Sequence, residues 1–291
     1  MSTRFLIAAL LGASLGAGPA LLPGAGHDAH AVTVQQVRDR GFARIAIANE
    51  IPYGYPDLSG KASGVGPETI ERVMKGLGIK RIEWTTTSFG SLIPGLKAGR
   101  FDMVAAEMAI LPQRCKEVLF SEPNSSYGEG LLVPKGNPQS LHSFEQFAKG
   151  SRKIAIMAGA DQLEILQALK VPQANILTIQ NNADAIATVS AGRASAYAAT
   201  SLTVSQLARK SKRVEAARPF TDPVVDGQPV RSWGGYAFAR DSETLRDAVD
   251  AELAKVKRTE PWRRLMRRHG FTDNDLEQSF ARTTRQLCSG G

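Results

Sequence analysis

The chain has 291 residues, 43% of them hydrophobic and 22% charged, a composition close to that of folded globular proteins and far from that of disordered ones. Its 27 glycines and 15 prolines follow no repeat, which excludes collagen-like and low-complexity readings. The formal charge of +8 raises a nucleic-acid or membrane partner, but the surplus sits in two short groups, Arg209-Lys210-Lys212-Arg213 and Arg263-Arg264-Arg267-Arg268, without aromatic platforms between them, so it reads as solvated helix faces and no nucleic acid is expected.

At the N-terminus, Arg4 precedes an apolar Gly/Ala-rich run over 5–22, and Ala29-His30-Ala31 supplies a small-x-small cleavage site. Residues 1–31 therefore read as a secretory signal peptide. The alternative, a membrane anchor, is opposed by Gly12, Gly16, Gly18 and Pro19 within the run. No lipobox cysteine is present, so the mature chain is expected free in the periplasm or secreted. Cys115 and Cys288 in an exported chain make one disulfide the leading reading, with two buried free thiols as the alternative.

After a short amphipathic helix over 34–40, residues 42–48 fit a buried strand. A Pro/Gly/Tyr-rich loop leads through Gly64-Val65-Gly66 and Pro67-Glu68 into a helix whose apolar face is Ile70, Val73, Met74 and Leu77. A strand at 81–86, a helix at 89–98 and a strand at 103–106 follow. This alternation predicts a largely parallel α/β sheet. From Gly128 the pattern restarts, with strands at 131–133, 153–157, 175–178 and 196–199 alternating with helices at 143–148, 159–170, 183–191 and 203–208. Residues 218–230 read as a connector, followed by a strand at 234–238 and helices at 245–257 and 261–269.

The search for reactive chemistry is mostly negative. His142 and His269 stand alone, without HxxxH or HExxH spacing, and His27 and His30 flank the cleavage site, so no metal is expected. Asp273, Asp275 and Glu277 begin like a calcium loop, but Gln278 and Thr284 occupy the positions of its glycine and closing glutamate, and a helix cap is the better reading. Nucleophile-elbow, Walker and dinucleotide motifs are absent from the mature chain, and no cofactor is expected. The remaining polar and aromatic groups lie in loops after strands, where open α/β sheets bind ligands: residues 50–53, Phe89, 107–114 and 158–161.

Four stretches, SFGSLIPGLKAGRFDMVAAEMAILPQRCKEVLFSEP at 88–123, LLVPKGNP at 131–138, AGRASAYAA at 191–199 and the helical 245–271, resemble the polar amino-acid family of extracellular solute-binding proteins of ABC importers. Residues 42–53, 113–115 and 283–288 are most similar to its ectoine and hydroxyectoine binders. The resemblance implies an α/β, type II periplasmic-binding-protein fold: two lobes joined by a two-stranded hinge, the first made of 32–132 and 225–291, the second of 133–224. It implies a periplasmic receptor that is not an enzyme, a small zwitterionic ligand in the cleft, an ABC importer permease as partner, and a monomer, as such receptors commonly are.

The resemblance also assigns site residues. Arg114 matches an arginine that holds a ligand carboxylate, a role suited to a planar guanidinium. Tyr53 and Phe89 match aromatic walls, with an ordinary core role as the alternative, and Glu50 matches an acidic residue facing a cationic nitrogen. Departures stand beside these matches. Glu107-Met108-Ala109 replaces a Gly-Thr motif, with Ala109 near the position of a third aromatic. Asp161 replaces a Ser or Thr, and Ser195 replaces the aspartate that holds an α-ammonium. Glu50, Glu107 and Asp161 around one arginine would favour a ligand with positive charge besides its carboxylate, unless Glu107 is paired structurally or Asp161 caps a helix. Two rivals are an enzyme similar to periplasmic cyclohexadienyl dehydratases, with Glu107 as acid or base, and an accessory binding protein of a periplasmic dehydrogenase.

Overall fold

The computed structural model describes residues 31–290, so the expected signal peptide, apart from Ala31, lies outside the described residues. Among them no helix is long and apolar enough to cross a membrane. Two mixed α/β sheets organise the chain. The first runs in the order Arg81–Thr86, Phe42–Ile47, Met103–Ala109, Ser232–Phe238, Leu119–Phe120, with Ser125–Tyr127 also paired to Ser232–Phe238. Its first three strands are parallel. Ser232–Phe238 is antiparallel to its neighbours, which makes the expected largely parallel sheet a mixed one. Met103–Ala109, buried throughout, is central, whereas Arg81–Thr86 exposes most of its residues at the edge.

The second sheet has the order Ile176–Ile179, Ile154–Met157, Ala196–Thr200, Glu129–Pro134, Val214–Ala216. Its first three strands are parallel and the last two antiparallel. The first sheet's Ser125–Tyr127 is followed at once by Glu129–Pro134 of the second, so the passage between sheets falls at Gly128, ahead of the expected boundary at 132. The return passage runs through 217–231. There Asp226 and Gly227, with φ of 52° and 76°, close a two-stranded hairpin, Val224–Val225 with Gln228–Pro229, inside what the sequence reads as a plain connector. One apolar cluster belongs to each sheet, and a third spans both, joining Phe89, Leu92 and Val104 to Leu132, Met157 and Ala160.

Local sequence places the loops that face the other lobe. Thr33 and Gln36 form a capping box on helix Val34–Arg40, and Gly41 ends it in the left-handed region. Gly64, at φ 112°, precedes helix Val65–Gly76; a Cβ there would lie 2.7 Å from the carbonyl oxygens of Pro52 and Tyr53. The unpaired N–H groups of Val65 and Gly66 bond those same carbonyls at 3.0 and 2.9 Å, which clamps the 50–54 loop to the helix start.

Several expected helices are shorter. The one expected at 89–98 is a 3-10 turn, Phe89–Ser91, followed by Leu92–Lys97, because Pro94 and Gly95 are poor helix formers. The helices expected at 143–148 and 159–170 contract to the 3-10 turn Glu145–Phe147 and to Gln162–Ala168. The calcium-like run forms helix Asp273–Gln278, capped by Thr272 and Asp275. Cys115 and Cys288 form a disulfide, with Cα atoms 5.6 Å apart.

Candidate functional site

In both sheets the groups that face the other lobe sit where parallel strands end. Glu50 and Tyr53 follow Phe42–Ile47, Phe89 follows Arg81–Thr86, and Arg114 follows Met103–Ala109 on the single turn Pro112–Cys115. From the second lobe, Asp161 follows Ile154–Met157 and Thr200 ends Ala196–Thr200. These loops leave a small cavity of about 20 Å³ between them, lined from the first lobe by Glu50, Tyr53, Phe89, Glu107 and Ala109 and from the second by Met157, Ala160, Asp161, Gln162 and Thr200. Arg114 borders it, its guanidinium 5.7 Å from the centre of the Phe89 ring. All seven sequence-predicted site residues thus come together at one place.

Hydrogen bonds tie the lobes across this space. Arg114 donates to Ala109 O in its own lobe at 2.9 Å and to Gly159 O in the other at 2.8 Å. The close approach requires glycine: at φ 79°, a Cβ on Gly159 would lie 2.9 Å from Gly90 Cα. Tyr53 donates to Thr200 Oγ1 at 2.7 Å, Thr203 to Glu50 Oε1 at 3.1 Å and Ser232 to Asp161 Oδ2 at 2.8 Å. Tyr53 also packs on Tyr127, ring centres 5.0 Å apart, and edge-on to Phe271. It is therefore both a core aromatic and a cavity wall.

The two bland readings of the acidic residues part company. Asp161 occupies the position before helix Gln162–Ala168, but its side chain makes no capping bond there. Glu107 is paired structurally: Asn124 donates to Oε1 at 2.8 Å and Ser125 to Oε2. Its φ of 50°, in the left-handed region, sits beside a register shift opposite Gly235 and Ala237 and turns the carboxyl away from regular strand geometry.

Burial, reinforced by the Asp161 charge and opposed by Asn182, Thr203 and Arg114, pushes the Glu50 carboxyl up to about 7. The Asn182 amide approaches Glu50, although its Nδ2 makes no hydrogen bond among the described residues. Burial likewise raises Glu107 to about 7 against its bonds from Ser125 and Asn124, and lowers Lys257, which lies behind it, to about 7. In unfolded chain these carboxyls titrate near 4.5. Between that value and 7 the folded protein therefore holds protons that the unfolded chain has lost, so their contribution is full below 4.5 and fades as pH rises through 7. Raising the pH from 5 to 7 is expected to cost on the order of a few kcal/mol and several degrees of Tm. Calorimetric melts at the two pH values test this, and a higher Tm at pH 7 would contradict it.

Other groups in the site were not singled out by the sequence. Ser195, given the ammonium-holding position by resemblance, bonds Lys153 O at the far end of its strand. Five residues at about 3.3 Å each separate it from the strand's cleft end, where Thr200 stands instead; counting to the strand terminus would have found it. Tyr127, whose hydroxyl bonds Glu107 O at 2.9 Å, lines the cavity from the passage between lobes. Glu129 stands just beyond, only 2% exposed; Gln162 donates to its Oε2 at 2.8 Å, and its Oε1 has no partner among the described residues. Burial first, then the Asp161 charge, holds the Glu129 carboxyl well above the usual range. The polar run Ser125-Ser126-Tyr127-Gly128-Glu129 ahead of the apolar 131–133 was the available signal.

Comparison with known proteins gives this geometry a context. The sequence profile of the bacterial extracellular solute-binding proteins, family 3, matches residues 43–272. A probable amino-acid ABC transporter periplasmic-binding protein of Sinorhizobium fredii is 51% identical over 263 residues, spanning 90% of this chain and 87% of that protein. The glutamine-binding protein of a Bacillus subtilis ABC transporter is 27% identical over 68% of this chain and 69% of its own length. Among solved structures, EhuB in complex with hydroxyectoine superposes with a TM-score of 0.80 at 30% identity, covering 89% of this chain and 98% of that one. An ancestral amino acid-binding protein, a precursor of cyclohexadienyl dehydratase, superposes at 0.71 with 27% identity over 81% and 98%.

Proposed function

We propose that this chain, which belongs to the bacterial extracellular solute-binding proteins of family 3, is a monomeric periplasmic receptor that closes its lobes on a small zwitterionic solute, ectoine-like or amino-acid-like, and presents it to an ABC importer permease. The observation that carries this reading is the Arg114 guanidinium, which borders a cavity lined from both lobes and bonds a carbonyl of each. An arginine fixed by two carbonyls keeps further N–H groups for a ligand carboxylate. Tyr53, Phe89 and Ala109 would wall the ligand, and Glu50 and Asp161 would meet its cationic end from opposite lobes. Such a ligand binds the closed arrangement better than the open one and so shifts the population toward closure.

No bond is made or broken in this reading. The rival enzyme needs Glu107 as a free acid or base, whereas both its oxygens accept hydrogen bonds from its own lobe. The accessory-protein rival is disfavoured by the relatives, which are named as binding proteins of ABC transporters.

Thermal-shift titration of the mature protein with ectoine, hydroxyectoine and polar and basic amino acids tests the proposal. A ligand at about a hundred times its Kd should add about 2.7 kcal/mol, a shift of several degrees. No shift with any of these solutes, or turnover of one of them that Glu107→Gln abolishes, would contradict it.

A further inference from the structure

We infer that the solute carries more positive than negative charge and presents that positive charge on N–H groups, as a guanidinium, amidinium or primary ammonium does. This rests on the receptor reading above and narrows its ligand class. The first ground is the distribution of donors and acceptors around the cavity. The hydroxyls nearest it are already committed, and the Gln162 amide has given one of its two N–H groups: Tyr53 donates to Thr200, Thr200 to Thr203, Tyr127 to Glu107 O and Gln162 to Glu129. What the wall still offers is acceptors. The hydrogen bonds that reach Asp161 and Glu129 end on one oxygen of each, and Glu129 Oε1 is buried without a partner among the described residues. Asp161, on the wall itself, keeps Oδ1 for an N–H brought by the solute, and Glu129 Oε1 lies one residue deeper, behind Gln162.

The second ground is charge. Glu50 and Asp161 line the cavity from opposite lobes, Glu129 lies behind Gln162, and among the described residues Arg114 is the one cation at the wall. Lys257 does not enlarge that count, because it stands behind Glu107 with its ammonium on Pro123 O and Ser279 O. Burial and the negative charge of Asp161 keep protons on Glu50 and Glu129, so the three form one cluster of carboxyls that cannot all ionise beside a single guanidinium. A neutral zwitterion uses Arg114 and Asp161 and leaves Glu50 and Glu129 protonated. A solute with a second cationic group draws Glu50 into its ionised form and bridges the lobes at Glu50 and Asp161.

The third ground is geometric. A quaternary ammonium would need open aromatic faces on several sides. Here Tyr53 and Tyr127 are packed on one another, and the wall at Ala109 carries only a methyl group.

Calorimetric titration of the mature chain with pairs of matched size tests the inference: L-arginine against L-citrulline and L-ornithine against L-glutamine, with ectoine and glycine betaine alongside. At least one cationic member should bind 10-fold or more tightly than its neutral partner, and tighter than ectoine or betaine. Asp161→Asn should reduce that ratio to less than about threefold, and Glu50→Gln serves as the second variant should Asp161→Asn not fold. A ratio unchanged in the folded variant overturns the inference. Ectoine or another neutral solute binding best, with its binding lost in Arg114→Ala, overturns it while leaving the receptor reading intact; a panel in which nothing binds overturns both.

Discussion

Arg114→Ala is expected to weaken solute binding by at least a hundredfold, with little change in the Tm of the protein measured without solute. Two effects act together. The substitution removes the guanidinium opposite the solute's carboxylate, and truncating one partner of a buried, hydrogen-bonded charge pair costs roughly 2–5 kcal/mol. It also removes the bond to Gly159 O, one of the few that join the lobes at the cavity, so the closed arrangement loses a contact that binding depends on. Arg114→Lys should recover little, since a single ammonium cannot hold Ala109 O and Gly159 O and still offer a planar fork. A further consequence separates this role from general damage: Arg114 lowers the Glu50 carboxyl, so its removal should push Glu50 further above 7. Calorimetric titration of both variants, with the Glu50 carboxyl followed by isotope-edited NMR, checks the account. Affinity within a few-fold of wild type would remove Arg114 from the site.

How far the sequence reveals this site follows from where each residue stands in its element. Glu50 lies just after the compact apolar run 42–48 and Phe89 just after the alternating Arg81–Thr86, so those strand ends, and hence their cleft-facing loops, can be read directly. The strand through Glu107 was harder. Its apolar run ends at Ala106, but the observed strand continues to Ala109 because a left-handed glutamate and an irregular pairing with Ser232–Phe238 absorb the break. No periodicity announces a glutamate in that conformation. Glu129 and Ser232 open the strands that follow the two passages between the sheets, and their partners, Gln162 and Asp161, are distant in sequence. Such long-range pairing leaves no local pattern. The Asp226-Gly227 hairpin is the opposite case, since Asp-Gly is a strong turn signal that the surrounding prolines obscured.

Breaking the Cys115–Cys288 disulfide, by Cys115→Ser with Cys288→Ser, is expected to lower Tm by roughly 5–15 °C and to weaken solute binding more than that loss alone explains. The global part follows from chain entropy. The bond closes a loop across a sequence separation of 173, and loss of a native disulfide typically costs about 2–5 kcal/mol, each kcal/mol being worth about 2–4 °C at this size. The local part follows from the elements it joins. Helix Thr284–Ser289 buries none of its residues fully, so its attachment depends on the disulfide, on Thr284 bonding Ser121 O and Glu122, and on partial packing by Leu287. On the other side, Pro112–Cys115 is a single turn, too short to hold itself by its own hydrogen bonds. The residue before Cys115 is the arginine that spans the lobes, so the covalent tie fixes the backbone on which Arg114 reaches Gly159 O. Hydrogen exchange at 20 °C distinguishes the two parts. Faster exchange confined to residues 112–118 and 284–289, together with weaker binding, is the expected result, whereas uniform acceleration with unchanged affinity would leave the disulfide a purely global brace. A double-mutant cycle with Arg114→Ala completes the argument: if the disulfide acts on binding through Arg114, its loss should cost nothing further once that side chain is gone.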